Sequence, residues 1–378
     1  MPTYKFDKGT LRVAVGTLFF MAGLCFASWA SRIATIQQEL NLSDAALGGV
    51  LFATPVGLMC SLPFSGWVIT KIGSRKLLIA SSVVYACCLV TLGLSQSVFQ
   101  LVVCLTLFGF SSNAVNISVN TQAVAAEELY QRPILASFHG IWSLAGFTGA
   151  GIGTFMIGKN IIPAQHFIII FIIIVIAVAI SSNYLKNDKV ASSGPVFVLP
   201  DNSLIKLGII AFCSMICEGA MFDWSVIYFK KVVLAQAGWM GAGYTAFMLT
   251  MATGRFIADW FAHRFGLKRT LQISGLLTAT GLLTAVAFPY IYTAMLGFLL
   301  VGFGVSSVVP LVYSAAGKSK TMSAGVALAA VSTIGFMGFL IGPPVIGFIA
   351  GLASLRASFT LIAAMGICVS VVATKAKI

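Results

Sequence analysis

Long apolar runs recur along the whole chain, separated by short clusters of charge, glycine and proline. A helix needs about 20 consecutive apolar residues to cross the core of a bilayer, so each run predicts one transmembrane helix. Twelve are expected, over 12–35, 45–69, 77–96, 99–124, 134–157, 165–184, 204–229, 239–260, 270–288, 291–313, 322–350 and 357–374. The longest break, 185–203, is polar, contains Gly194, Pro195 and Pro200, and lies mid-chain. It reads as a cytoplasmic linker between an N-terminal six-helix bundle (1–184) and a C-terminal one (204–378). The first apolar run has no small-residue cleavage site and flows into a full-length span, so it is read as the first helix.

The two halves resemble each other. GWVITKIGSRK at 66–76 aligns with DWFAHRFGLKR at 259–269, a shift of 193. At that shift Phe108-Gly109-Phe110 meets Val301-Gly302-Phe303, and Gly149 meets Gly342. Ser28-Trp29 meets Asp223-Trp224 at a shift of 195. The expectation is an all-α membrane protein of two six-helix bundles, related by a pseudo-two-fold axis along the membrane normal. Such folds place a solute site near the bilayer midplane at the repeat interface and expose it to each side in turn.

Composition agrees with the periodicity. Hydrophobic residues make up 59% of the 378 and charged residues 9%, where a soluble domain carries about a quarter. The formal charge of +13 resides in loops between spans, so it specifies topology and not nucleic-acid binding. With the N-terminus in the cytoplasm, 17 Lys and Arg fall on the inner side and five on the outer. Both termini are therefore expected in the cytoplasm of a bacterial inner membrane. All eight cysteines lie in apolar segments without C-x-x-C spacing, which predicts packing residues and no metal or cofactor site.

The carrying stretches FASWASRIATIQ (26–37), NTQAVAAEE (120–128), SFHGIWSLAGFTGA (137–150), EGAMFDWSVIY (218–228) and GFLIGPPVIGFIAG (338–351) span nearly the whole chain. With the 66–76 loop they make the sequence resemble the major facilitator superfamily, and within it the YbjJ-like and MosC-like branch, distantly similar to fucose-type sugar permeases. The loop resembles that family's G-x-x-x-D-R-x-G-R-R signature through Gly66, Gly73 and Arg75, but Thr70 stands at the acidic position and Lys71 replaces the arginine. In the second copy Asp259 and Gly266 match Gly66 and Gly73, His263 stands at the acidic position, Lys268 followed by Arg269 matches Arg75-Lys76, and Arg255, one turn before Asp259, is read as its i,i+4 partner. The resemblance implies a bacterial permease for sugar-like or cyclitol-like solutes.

Eight of the ten acids lie in loops or at span ends, and the other two, Glu218 and Asp223, lie inside the seventh span. A charge in hydrocarbon costs at least about 2.5–3.5 kcal/mol and survives by facing a cavity, by pairing or by taking up a proton. Glu218 is the expected proton-coupling residue, with His139 as a second; a neutral Glu bonded to a neighbouring helix is the alternative. Ser214, Glu218 and Ser225 share one helical stripe. Asp223 points elsewhere and is read, with Arg32, as an outer gate, or as one of two separate helix anchors. Asn113, Asn116 and Asn120 lie on one face of the fourth span, matched by Ser306 and Tyr313 in the tenth. Amides both donate and accept, which suits hydroxylated solutes, although they also serve as interhelical glue. His139, Trp142 and Ser143 form a stripe on the fifth span, and Trp29 and Trp224 stand at repeat-equivalent places, over a sugar face or in an interfacial belt.

The expected function is proton-coupled secondary transport of a small polar solute by a monomer in the bilayer. Efflux of amphiphiles is the second transport reading, and a non-transporting sensor comes from another class. The three histidines are scattered at 139, 166 and 263, no nucleophile–base set is evident, and there is no Walker motif, which argues against an enzyme or an ATP-driven pump.

Overall fold

The computed structural model describes residues 8–130, 134–186, 202–319 and 324–375. Most of the expected linker, from 187 to 201, lies outside them. The helices are α1 (Lys8–Glu39), α2 (Asp44–Leu51), α3 (Ala53–Ile72), α4 (Ser74–Gly93), α5 (Val98–Tyr130), α6 (Leu135–Gly158) and α7 (Pro163–Ser182), followed by α8 (Asn202–Lys231), α9 (Ala242–Phe265), α10 (Leu267–Ala287), α11 (Ile291–Ser306), α12 (Val308–Ala316), α13 (Ala324–Leu352) and α14 (Leu355–Lys375). With no water in hydrocarbon, each span must satisfy its backbone internally, which these helices do.

Among the described residues eleven stretches are long and apolar enough to cross a membrane, with α2–α3 and α11–α12 each counting as one. The twelfth, α9, is 24 residues long but carries Arg255, Asp259, His263 and Arg264. Two expected spans are broken in two, at Phe52 and at Ser307. Both breaks precede a proline. Pro55 has no N–H for the Leu51 carbonyl, and Pro310 has none for that of Ser306, and each ring crowds the carbonyl four residues earlier.

The chain divides into two compact units. One comprises α1 and α3–α7; the other comprises α2 and α8–α14. Their internal packing follows the repeat. In the first unit α1 packs on α6 and α7, α3 on α5, and α4 on α5 and α7. In the second, α8 packs on α13 and α14, α9 on α11, and α10 on α11 and α14. The correspondence extends to single contacts. A Cβ on Gly109 would overlap the Thr54 backbone of α3, and one on Gly302 would overlap the Phe247 carbonyl of α9, two contacts related by the 193-residue shift. Gly57 closes on the Thr106 carbonyl, whereas its counterpart Thr250 donates its hydroxyl to the Leu299 carbonyl at 2.8 Å. Without a hydrophobic drive between helices in lipid, such close approach is what holds them together.

Apolar faces point outwards as well as inwards. On α7, Phe167, Ile170, Ile174 and Val178 are buried, while Ile168, Ile172, Ile176 and Ile180 are exposed. A helix apolar all round, with one side unpacked, belongs against lipid. In the second unit α2 packs on α13, where Gly48 meets Pro343 and Gly347, and Asp44 pairs with Lys231 of α8 at 2.5 Å.

Candidate functional site

The second unit holds a buried ion pair between two spans. Glu218 on α8 is 6% exposed, and Arg255 on α9 donates from Nη2 to its Oε1 at 3.2 Å. Neither charge is tolerable alone in a span, and pairing offsets much of the desolvation cost of both. The pair accounts for the Arg255 that interrupts α9, which the sequence reading had coupled to Asp259, one turn on; the Asp259 side chain lies outside the described residues. Two hydroxyls stand by. Ser214, one turn before Glu218, and Tyr313 on α12, within electrostatic reach of Glu218, have buried oxygens with no hydrogen-bond partner among the described residues. Buried polar atoms of this kind are rare and call for an explanation such as a ligand or water. Ser306 is occupied differently: its hydroxyl donates to the Phe303 carbonyl at 2.8 Å and fills the space that Gly254 leaves.

Asp223 lies further along α8, only partly buried and without an ion-pair partner among the described residues. Its neighbour Trp224 is fully buried, as is Tyr244 of α9, and the indole N–H and the phenol oxygen are both without partners.

In the first unit the three asparagines differ. Asn120 donates to the carbonyl and the side-chain oxygen of Asn116, at 2.8 and 2.9 Å, and Asn116 is exposed. Asn113 is 3% exposed and its amide nitrogen has no partner among the described residues. On α6, His139 is exposed, with its ring edge-on to Phe19 at 5.5 Å. Ser143 donates to the His139 carbonyl at 3.1 Å, and Trp142 tilts over Phe26 at 6.2 Å. Trp29 packs on Phe108 at 6.3 Å. With Trp29 2% and Trp224 0% exposed, neither is an interfacial belt residue.

Arg32, expected at a gate, is buried on α1 and held within its own unit. Its Nε donates to Nδ1 of His166 at 3.2 Å and its Nη2 to the Ile161 carbonyl at 2.8 Å. Nδ1 is thus an acceptor, which leaves the hydrogen on Nε2, a buried atom without a partner among the described residues. His166 was not among the expected site residues. Its signal was a Gln165-His166 pair at the start of an otherwise apolar span, at the same end of the bundle as Arg32.

The loop motifs are structural twins. Gly73 (φ 86°) and Gly266 (φ 79°) both adopt the left-handed conformation ahead of the next helix, which only glycine enters without strain. Arg75 donates to the Ser182 carbonyl at 3.0 Å, while Gly66 and Arg269 are exposed.

Duplicated helical bundles with apolar outer faces define a multi-pass membrane protein. The chain belongs to the Major Facilitator Superfamily, whose sequence model matches residues 14–235 and 207–376. It is 32% identical over 354 residues to an uncharacterized MFS-type transporter of Yersinia pestis, covering 93% of this chain and 92% of that one. It is 33% identical over 363 residues to the membrane protein MosC of Rhizobium meliloti, covering 94% and 88%, which places it in the MosC-like branch. The human organic anion transporter MFSD10 shares the fold, with a TM-score of 0.71 at 15% identity over 98% of this chain and 100% of that one.

Proposed function

We propose that the protein is a proton-coupled secondary transporter of a small polar solute, sugar-like or cyclitol-like, working by alternating access in a bacterial inner membrane with both termini cytoplasmic. The observation that carries this reading is the Glu218–Arg255 pair beside the unpartnered hydroxyls of Ser214 and Tyr313. A solute rich in hydroxyls both donates and accepts, so it can satisfy the two hydroxyls and the remaining valences of the ion pair at once. Asn113, Asn116, Asn120, His139, Trp142 and Ser143 supply a second set of amide, imidazole and aromatic contacts in the first unit. A sugar-like or cyclitol-like solute is what the resemblance to the MosC-like branch implies.

The test is a thermal-shift screen of sugars and cyclitols on the purified protein, repeated on Glu218→Gln. A stabilising solute that loses its effect in the variant, and whose uptake alkalinises the medium, is the expected result. Stabilisation by hydrophobic amines alone, with no response to any polyol, would establish efflux of amphiphiles and defeat the proposal.

A further inference from the structure

Coupling to protons requires a group inside a span whose charge a proton alone can switch. Glu218, the residue expected from sequence, has its charge met by Arg255. Asp223 does not. It makes no hydrogen bond or ion pair with any described residue and is only partly buried. Its surroundings within the unit offer hydrogen-bonding groups, and the basic residues of its own helix, Lys230 and Lys231, stand about two turns on, in the last turn. From α9, Tyr244 is within electrostatic reach and its buried hydroxyl has no partner, while Arg255 is bound to Glu218. On α12, Tyr313 lies toward Glu218; α13 has no titratable side chain; on α14, Arg356 is bonded to the Val286 carbonyl. On α8 itself, Lys231 is engaged by Asp44 near the helix end. An unopposed carboxylate in hydrocarbon is costly, and accepting a proton removes the cost without moving any side chain.

We infer that Asp223 is the site that loads and releases the coupled proton, and that the Glu218–Arg255 pair serves the solute. The step is a proton transfer from hydronium to a carboxylate oxygen, leaving water, and the neutral acid can then hydrogen-bond Tyr244. The inference rests on the transport reading for its purpose and on the surroundings of Asp223 for its place.

The experiment is infrared difference spectroscopy of the full-length protein in liposomes across a pH step, with and without carbon-13 in the aspartate carboxyls. Expected is a protonated-carboxyl band that grows as pH falls, shifts with labelled aspartate, disappears in Asp223→Asn, moves in Asp223→Glu and persists in Glu218→Gln. Persistence of the band in Asp223→Asn, or its loss in Glu218→Gln, overturns the assignment, provided that Asp223→Glu elutes and melts as wild type. A silent Asp223 in a carrier whose uptake follows pH defeats this site and leaves coupling intact. A titrating Asp223 in a carrier indifferent to pH supports the proton site and defeats coupling.

Discussion

Replacing Arg255 with methionine isolates the energetics of the buried pair. The side chains of Glu218 and Arg255 are 8% and 17% exposed, so water screens the partner left behind only weakly. Removing one member of a buried pair costs about 3–5 kcal/mol, whereas replacing both with apolar groups of similar volume is close to neutral. For a unit of this size that corresponds to roughly 6–20 °C in melting temperature. Arg255→Met should therefore melt well below wild type, and Glu218→Leu combined with Arg255→Met should recover most of the loss. The buried thiols of Cys213 and Cys217 lie in the same unit, so melting can be followed with a thiol-reactive fluorophore. The two single variants should also differ in pH dependence. In Arg255→Met the orphaned carboxylate can discharge by taking up a proton, so the deficit shrinks as pH falls. In Glu218→Gln the orphaned guanidinium stays protonated at any working pH, so the deficit holds constant. If Arg255→Met melts with wild type, or no higher in the double variant than alone, the pair is not the electrostatic unit described.

Gly73→Ala and Gly266→Ala should each lose about 1–2 kcal/mol, because φ values of 86° and 79° strain any residue with a Cβ, while Gly66→Ala, with nothing near its Cβ position, should melt as wild type. Gly109→Ala and Gly302→Ala should each cost about 1–3 kcal/mol by overpacking equivalent helix crossings, read as lowered melting and slower gel-filtration recovery; a loss at one and not the other would break the repeat argument. His166→Ala strips the acceptor from Arg32 Nε and should cost about 1–3 kcal/mol, with His166→Gln restoring part of it by offering an amide oxygen; equal melting of the two variants would contradict that bond.

Span number and order were legible because lipid imposes one rule on every helix, a sustained apolar run, and the loops interrupt it with charge. The helix breaks at Phe52 and Ser307 were also within reach, since Pro55 and Pro310 mark the carbonyls they leave unbonded, but hydropathy averages over such points. The site was legible by residue type and not by partner. A carboxylate in the seventh span announced that something must answer it, and three answers were open in sequence, a cavity, a partner or a proton. Only three-dimensional packing brings Arg255 to Glu218. Arg32 and Asp223 were paired by repeat register, and register carries no knowledge of His166, which approaches Arg32 from another helix. The asparagines read as one stripe because their spacing is helical; the bond from Asn120 back to Asn116 follows from local geometry that spacing does not encode.

The repeat also locates where function departs from architecture. Glycine positions, helix crossings and the left-handed loop residues recur at a nearly fixed shift, since both units solve the same packing problem. The ionic chemistry does not recur. At the repeat shifts Glu218 corresponds to Gly23, where a Cβ would strike the Trp142 carbonyl, and Arg255 corresponds to the exposed apolar Leu62. Tyr313 answers to Asn120 and Ser306 to Asn113. A duplicated scaffold under no demand but stability would have kept both copies free of charges that cost several kcal/mol in hydrocarbon. That one copy holds the ion pair and Asp223, while the other holds amides and an Arg32–His166 bond, means that the two units do not bury the same chemistry. Grafting Glu218 and Arg255 onto positions 23 and 62 should therefore fail on packing at Gly23 alone, before any question of transport arises.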